Sequence, residues 1–301
     1  MSLLEQLIEE YPYENWDFTS LSSNPSISFK FIINHPEYKW NKKRICKNPS
    51  ITESDIRNNL EYNWDYVELC SNPNIGIHFI NEFMIRPKTM VKISWANISA
   101  NKSITMFDIM DYPNYKWNDR YLSMNPNISS NFILNKGNAR KWFMPHVSSN
   151  PGITERDIYR QVLDFKILNL SSNPNLPAKY VNDNPSEQWN YHSVSSNSNI
   201  SLNDIDTYKQ IKWDSLGLSI NTNININYVR SHSEINWNKQ LLLSNPALTI
   251  SDIENNDDYF NKDESYYRAI CSNPNITKFW IQDNYKFVNF THLSNNQIIK
   301  K

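Results

Sequence analysis

Glycine and cysteine are both scarce in this chain of 301 residues, which contains four glycines and three cysteines. Phosphate-binding loops and dinucleotide-binding turns need clustered glycines, whereas those present are widely separated. The formal net charge is only -1, so no overall field draws the chain to nucleic acid or anionic membranes. No apolar run reaches the roughly 18 residues that a membrane-spanning helix needs. The composition therefore points to no nucleotide-binding loop and no membrane span, and the most informative feature of the chain is its repeated pattern.

An asparagine followed by proline recurs about every 24 residues, most clearly within Trp64 to Ile80. We call this residue the anchor asparagine. The copies that keep the proline begin at Asn24, Asn48, Asn72, Asn125, Asn150, Asn173, Asn245 and Asn273. Degenerate copies are assigned to Asn101, Asn197, Asn221 and the pair Asn295-Asn296. A fixed period in this range is typical of a solenoid, here with about twelve units.

Four positions counted from the anchor are apolar in nearly every unit. The third and eighth residues after it are Ile, Leu or Val, and so is the third residue before it, except for His292 in the last unit. The eighth residue before the anchor is usually tryptophan, as at Trp16, Trp40, Trp64, Trp117, Trp142, Trp189, Trp213 and Trp237. These repeated apolar positions predict a core that continues from unit to unit.

Each unit predicts two short helices. One begins at a Ser or Thr four residues after the anchor, as at Thr52 and Thr105, and the other follows the tryptophan and ends at the Asn-Pro. Helices of about eight residues are unstable alone, so stacking must stabilise them. We therefore predict an all-α fold, an α-solenoid of about twelve helix-pair repeats forming one domain over residues 1–301. A cap helix is predicted at residues 2–11 and a capping unit at residues 285–301.

The seventh residue after the anchor alternates between an aromatic residue and aspartate. The series is Phe31, Asp55, Phe79, Asp108, Phe132, Asp157, Tyr180, Asp204, Tyr228, Asp252 and Trp280. The alternation predicts a double unit of about 48 residues, in which aromatic rings pack inward and the aspartates cap solvated helices.

No pattern in the sequence points to catalysis, a cofactor or a metal. The histidines are scattered and form no ligand-like spacing, and no nucleophile motif occurs. Helix capping explains the recurrent aspartates better than acid-base catalysis does. The cysteines Cys46, Cys70 and Cys271 occupy one position that is usually serine, which predicts small, reduced, packed side chains. Together with an amino-terminal sequence lacking signal-peptide features, this favours a protein that is not secreted.

Two charge clusters are candidate partner-binding surfaces. The basic cluster comprises Lys39, Lys42, Lys43, Arg44 and Lys47. The acidic cluster includes Asp257, Asp258, Asp263 and Glu264. They are either the solvated faces of a soluble protein or a polarised docking surface, which includes head-to-tail contact between two copies.

The strings WDYVELCSNPNIG, WNDRYLSMNPNIS and AICSNPNIT resemble the tandem-repeat proteins of giant DNA viruses of the mimivirus type. The resemblance covers nearly the whole chain and implies a repeat class and a viral origin, without implying catalytic residues. The units at Asn101 and Asn221 lack the proline of the repeat.

We expect a non-enzymatic repeat scaffold that binds a viral or host protein, in the infected-cell cytoplasm or the virion. The warrant is that solenoids present extended binding surfaces. One alternative is a helical repeat protein that binds nucleic acid, which needs a continuous basic stripe. Another is a structural virion or assembly component, which would self-associate.

Overall fold

The computed structural model describes residues 1–85, 91–135 and 140–297, and within them every regular element is helical. The predicted all-α helical-repeat solenoid is confirmed. By its internal contacts the chain forms two compact units, one of Met1 with Phe18–Phe165 and one of Ser2–Asp17 with Lys166–Lys301. The assignment of one domain to residues 1–301 stays a prediction.

The helices follow one another with short connections. They are α1 (Leu3–Glu10), α2 (Phe18–Leu21), α3 (Phe29–Asn34), α4 (Lys42–Lys47), α5 (Glu53–Arg57), α6 (Tyr66–Leu69), α7 (Ile77–Ile80), α8 (Trp95–Ala100), α9 (Met106–Asp111), α10 (Asp119–Leu122), α11 (Ser130–Leu134), α12 (Met144–Ser148), α13 (Glu155–Arg160), α14 (Ile167–Leu170), α15 (Ala178–Asp183), α16 (Tyr191–Ser195), α17 (Leu202–Thr207), α18 (Ser215–Ile220), α19 (Ile226–Ser231), α20 (Lys239–Ser244), α21 (Ile250–Glu254), α22 (Glu264–Cys271), α23 (Lys278–Asp283) and α24 (Phe290–Leu293). A π-helical turn spans Asn81–Ile85 and a 3-10 turn spans Tyr285–Phe287. From α2 onward, even-numbered helices precede an anchor asparagine and odd-numbered helices follow one.

A helix, α1, lies within residues 2–11, where the cap helix is predicted. Helix α1 begins after Ser2, whose hydroxyl accepts the Glu5 N–H while the Glu5 carboxylate accepts the Ser2 N–H. This reciprocal pair satisfies two donors that a helix start otherwise leaves open.

The aromatic and aspartate units differ as the sequence predicts. Each aspartate of the series closes a capping box with the residue that begins its helix, on α5, α9, α13, α17 and α21. The aromatic residues at the same position are buried. Four of their rings meet the following tryptophan edge to face, in the pairs Phe31–Trp40, Phe132–Trp142, Tyr180–Trp189 and Tyr228–Trp237. The local environments therefore alternate: the aspartates cap solvent-exposed helix starts, and the aromatic residues pack in the core.

The anchor asparagines join successive repeats through hydrogen bonds to the backbone. The side-chain amide of Asn125 donates to the carbonyls of Ser99 at 3.1 Å and Asn101 at 2.9 Å, in the preceding repeat. Its carbonyl oxygen accepts the Asn127 N–H at 2.9 Å, which holds the turn. The anchors that bond a preceding repeat in this way are Asn48, Asn72, Asn101, Asn125, Asn150, Asn197, Asn221, Asn245, Asn273 and Asn296. Each anchor carbonyl that accepts one of these bonds also accepts the backbone N–H of the residue three positions later, so the asparagine amide is a second donor that ties one repeat to the next.

The two remaining anchors with proline, Asn24 and Asn173, are buried as well. Each accepts the N–H of the residue two positions later, at 2.9 Å, so they hold the same turn as the other anchors.

A second connection uses the serine that lies two residues before most anchors. The hydroxyl of Ser219 donates to the Ser215 carbonyl within α18 and accepts the N–H of Asn238, the cap of α20, at 3.0 Å. In other repeats a serine hydroxyl likewise accepts the backbone N–H of the residue after the tryptophan position. These pairs are Asn41 to Ser22, Asn118 to Ser99, Phe143 to Ser123, Asn190 to Ser171 and Asp214 to Ser195. Even-numbered helices of neighbouring repeats consequently pack against each other, as α4 does on α6 and α18 on α20.

The core lies along the predicted apolar positions. The side chains three residues after the anchor are fully buried from Ile27 to Ile276. Of the tryptophans, Trp16, Trp64, Trp117, Trp189 and Trp237 are buried, while Trp40, Trp142 and Trp213 are partly exposed. Most of these indoles also donate their N–H to the carbonyl five residues earlier, as Trp117 does to Tyr112 at 2.8 Å.

The assignment of the last unit was wrong by one residue. The anchor is Asn296 and not Asn295, because the Asn296 amide bonds the carbonyls of Cys271 and Asn273 while the Asn295 amide bonds its own helix. The apolar position three residues earlier is then the buried Leu293, so His292 breaks no pattern. Two asparagines in succession made the sequence ambiguous here. The predicted capping unit ends at residue 301, and its part after residue 297 lies outside the described residues.

Candidate docking surface

Helix α4 carries most of the basic cluster. Asn41 caps its start by accepting the Arg44 N–H at 3.1 Å. Ile45 and Cys46 point into the core, whereas the basic residues of the cluster are exposed, namely Lys39, Lys42, Lys43, Arg44 and Lys47. Ile45 and Cys46 are adjacent, so they occupy one narrow face of α4. The remaining faces are exposed to solvent, where water screens the repulsion between the basic side chains.

Among the described residues, only one member of the basic cluster has an acidic partner. The Lys47 ammonium lies 2.6 Å from the Glu68 carboxylate of α6. Within residues 1–85, 91–135 and 140–297, the other four basic residues make no ion pair. The surface therefore keeps an excess of positive charge.

A groove of about 660 Å³ runs beside this helix. Its walls come from the start of α4, from residues 63–68 at the start of α6, and from residues 91 and 92. The groove brings Lys42 and Lys43 together with Lys92, a residue that sequence reasoning missed. Lys92 lies at the end of an insertion in the repeat, and its charge was the only signal for it.

The acidic residues of this groove are already engaged. The Asp65 carboxylate accepts the N–H groups of Val67 and Glu68, at 3.1 Å and 3.2 Å, and so caps α6. Glu68 is the partner of Lys47. None of the three lysines that line the groove forms an ion pair with a described residue. Asp65 keeps its negative charge and Glu68 is offset by Lys47, so positive charge remains in excess and an anionic group fits the groove by charge.

A tight turn at Asn63 forms part of the groove lining. Asn63 has a φ of 25°, in the left-handed region that asparagine tolerates better than most residues. The next residue, Trp64, is buried and donates its indole N–H to the Asn59 carbonyl at 2.8 Å. The turn therefore places Asn63 outward and Trp64 inward.

The acidic cluster differs because each of its members has a local partner. Asp257 pairs with Lys262 at 2.8 Å, Asp258 with Arg230 at 2.8 Å and Glu264 with Arg268 at 2.7 Å. The hydrogen bond from Lys262 lowers the pKa of Asp257. These exposed pairs add little stability individually, but they leave less uncompensated charge than the basic cluster has.

The fourth acidic residue, Asp263, is the cap of α22. Its carboxylate accepts the Ser265 hydroxyl and the Tyr266 N–H, and the Ser265 hydrogen bond lowers its pKa. Asp263 and Glu264 line a second groove of about 520 Å³ together with Lys262, Arg268 and Lys286. Like the first groove, it has three basic and two acidic residues in its lining, but Lys262 and Arg268 are paired, with Asp257 and Glu264. Among its basic residues only Lys286 has no ion pair with a described residue, so less of its positive charge is unpaired.

The cysteines are buried in the position that serine fills elsewhere. Cys271 accepts the N–H of Asn289, the cap of α24, at 3.3 Å, as the serines do for their neighbours. Burial raises the pKa of each thiol to about 11. The thiolate is the reactive form, and little of it is present near neutral pH, so all three cysteines react slowly there.

We expect iodoacetamide at about pH 8 to label none of the three cysteines in the folded protein and all of them in urea. The raised pKa also gives a sign for stability. Between the ordinary value of 9.0 and about 11, the unfolded chain releases thiol protons that the folded chain keeps, so stability falls as pH rises. Cys70→Ser, which places the usual serine in that position, should reduce this fall in urea midpoints measured from pH 8 to pH 11. A native chain that labels readily at pH 8 would contradict the burial.

The formal glycosylation sites of the sequence include four in which isoleucine follows the asparagine, at Asn97, Asn127, Asn199 and Asn275. The side-chain amide of each donates to a backbone carbonyl of the preceding repeat, for example Asn127 to Lys102 at 2.7 Å. A glycan on this nitrogen would break the contact, so these asparagines act in repeat stacking.

Two other kinds of site are absent from the described part of the chain. No group of three His, Cys, Asp or Glu residues there is arranged to hold a metal ion. No helix in that part is long and apolar enough to cross a bilayer.

Comparison with known proteins gave no relative: no family model, no curated protein and no solved structure matches this chain.

Proposed function

We propose that the protein is a non-enzymatic repeat scaffold that binds an acidic segment of another protein in the basic groove. The observation that carries this proposal is the meeting of Lys42, Lys43 and Lys92, unpaired among the described residues, along one groove. Solenoids present such grooves at the joints between their repeats. Charged groups of this kind mainly set the rate and the selectivity of encounter.

A protein partner fits better than nucleic acid. Proteins that hold single strands combine a basic track with exposed aromatic rings on which bases stack. Here Trp64 lies in the core, Tyr66 is the one partly exposed ring of the groove lining, and the unpaired basic residues are confined to one joint, so they form no continuous track. The groove also offers the partly exposed Tyr66 and Val67, which suit an apolar side chain of a peptide.

The origin of the partner is part of the proposal. The resemblance of the repeats to those of giant-virus proteins favours a viral or host protein met in the infected cytoplasm or in the virion. A partner of this kind needs an acidic segment long enough to lie across one joint.

The test is fluorescence anisotropy with a labelled peptide of about ten Glu and Asp residues around a central Tyr. We expect saturable binding that weakens with salt, because the charges are exposed and therefore screened. Lys42→Glu combined with Lys43→Glu should weaken binding at least about tenfold, since it reverses two of the three lysine charges.

The matched control is Lys102→Glu combined with Lys116→Glu, which makes the same charge change at two exposed positions away from the groove. It should bind the peptide almost as well as the unaltered chain. Equal losses in both double variants would show a general charge effect and reject the groove. A single-stranded DNA of similar length that binds more tightly than the peptide would favour the nucleic-acid alternative.

A further inference from the structure

The segment Ser2–Asp17 packs on the last repeat of its own compact unit as if it were the next repeat. The backbone N–H of Asp17 donates to the Ser294 hydroxyl at 3.0 Å. Inside the same unit, the N–H of Asn238 donates to the Ser219 hydroxyl at the same distance. In both cases the donor follows a tryptophan and the acceptor lies two residues before an anchor. We call this contact the terminal joint.

Aromatic side chains fill the centre of the terminal joint. Trp16 meets Phe290 edge to face with 5.0 Å between ring centroids, and Tyr11 stacks on Tyr285 at 5.2 Å. Both Trp16 and Phe290 are buried. Ring pairs at such centroid distances contribute stability beyond that of the apolar area they bury.

The rim of the terminal joint is charged and polar. The Glu10 carboxylate lies 2.5 Å from the Lys278 ammonium and also accepts a hydrogen bond from the Gln282 amide. The Tyr285 hydroxyl donates to Glu14, and the Thr291 hydroxyl donates to the Asn15 carbonyl at 3.0 Å. An apolar centre with a polar rim is the arrangement found at protein interfaces.

The terminal joint differs from interior joints in connectivity. At an interior joint the two bonded residues are 19 positions apart, as for Asn238 and Ser219. Asp17 and Ser294 are 277 positions apart, so no short connection holds them together. The choice between the segment of the same chain and that of another chain then depends on effective concentration.

We propose that the terminal joint also forms between two copies of this chain, with Ser2–Asp17 of one copy seated on the last repeat of the other. Such an exchange repeats every contact of the terminal joint and creates no new surface, which makes it a low-cost route to a dimer. It does not depend on the basic groove.

The test uses complementary charge reversals at the rim. Glu10→Lys places two lysines at the contact with position 278, and Lys278→Glu places two glutamates there. Each variant alone weakens its own terminal joint by like-charge repulsion. In a mixture, reciprocal exchange restores an opposite-charge pair at both joints of a heterodimer.

The readout is light scattering after size exclusion, with one variant carrying a removable tag. At about 100 μM, below the millimolar effective concentration of a tethered segment, the unaltered chain should be monomeric. The mixture should yield at least about fivefold more dimer than either variant alone. Both substitutions lie at partly exposed side chains, so folding is expected to survive.

The matched control mixes Lys179→Glu with Asp183→Lys, which alters an exposed ion pair within α15. This mixture should contain no excess of heterodimer. A monomeric mixture of the Glu10 and Lys278 variants, or equal dimer in each variant alone, would overturn the exchange.

Discussion

Replacing Asn125 with alanine is expected to lower the free energy of unfolding by about 3–5 kcal/mol, although it removes only a few atoms. The side chain is fully buried, its amide donates to the carbonyls of Ser99, Asn101 and Ile104 in the preceding repeat, and its oxygen holds the next turn. Alanine removes the amide donor from the Ser99 carbonyl and the acceptor from the Asn127 N–H, whereas the Asn101 carbonyl keeps the Ile104 N–H. Urea denaturation monitored by circular dichroism measures the loss.

Two further variants separate the hydrogen bonds from the shape. Asn127→Ala removes a neighbouring asparagine whose contacts are nearer to solvent, so the expected loss is about 1 kcal/mol. Asn125→Asp keeps the shape but turns the donor into an acceptor, and it should cost at least as much as alanine at pH 7. If Asn125→Ala cost no more than Asn127→Ala, the anchor bonds would not be a main source of stability.

Trp117→Ala is the second substitution with a large expected effect, about 3–5 kcal/mol. Trp117 is buried, its indole N–H donates to the Tyr112 carbonyl at 2.8 Å, and its ring meets Trp95 edge to face at 5.7 Å. Alanine leaves a cavity between repeats that the short helices cannot close without losing contacts elsewhere. A loss below about 1 kcal/mol would contradict the assignment of this position to the core.

Phenylalanine variants isolate the indole hydrogen bond. Trp117→Phe keeps a ring but removes the donor, so about 1 kcal/mol should be lost beyond the effect of ring size. The matched position is Trp213, whose buried indole N–H has no hydrogen-bond partner among the described residues. Trp213→Phe should therefore cost less than Trp117→Phe in the same urea measurement.

Much of the local structure was predictable because the same capping residues and apolar positions recur in each repeat. The helix starts at Thr52 and Thr105 follow from capping chemistry, which depends only on residues within one turn. The burial of the apolar positions follows from their recurrence at fixed distances from the anchor. The alternation of aspartate and aromatic residues could be interpreted for the same reason.

Other features depend on contacts that leave no mark in the sequence. The acceptors of the Asn125 amide are backbone carbonyls, which every residue has, so the pattern could not name them. The register of the last unit was ambiguous because either Asn295 or Asn296 preserved the motif. The terminal joint between Asp17 and Ser294 spans almost the whole chain, and no local rule predicts such a pairing.

The candidate surface was predicted in part. The basic cluster was visible as a run of lysines and arginine, but its pairing state was not. Lys47 pairs with Glu68 because α4 packs on α6. Lys92 lines the groove although an insertion separates it in sequence from the groove residues of α6. The acidic cluster looked equivalent in sequence, yet local lysines and arginines pair with three of its carboxylates.

Hydrogen exchange with mass spectrometry, on the unaltered protein with and without the acidic peptide, tests most directly whether the basic groove is the docking surface. The account predicts that the peptide slows exchange in residues 41–47, 63–68 and 91–92, and that this protection disappears in the Lys42→Glu, Lys43→Glu variant. Protection at other repeats that persists in this variant would contradict the account and place the docking surface elsewhere.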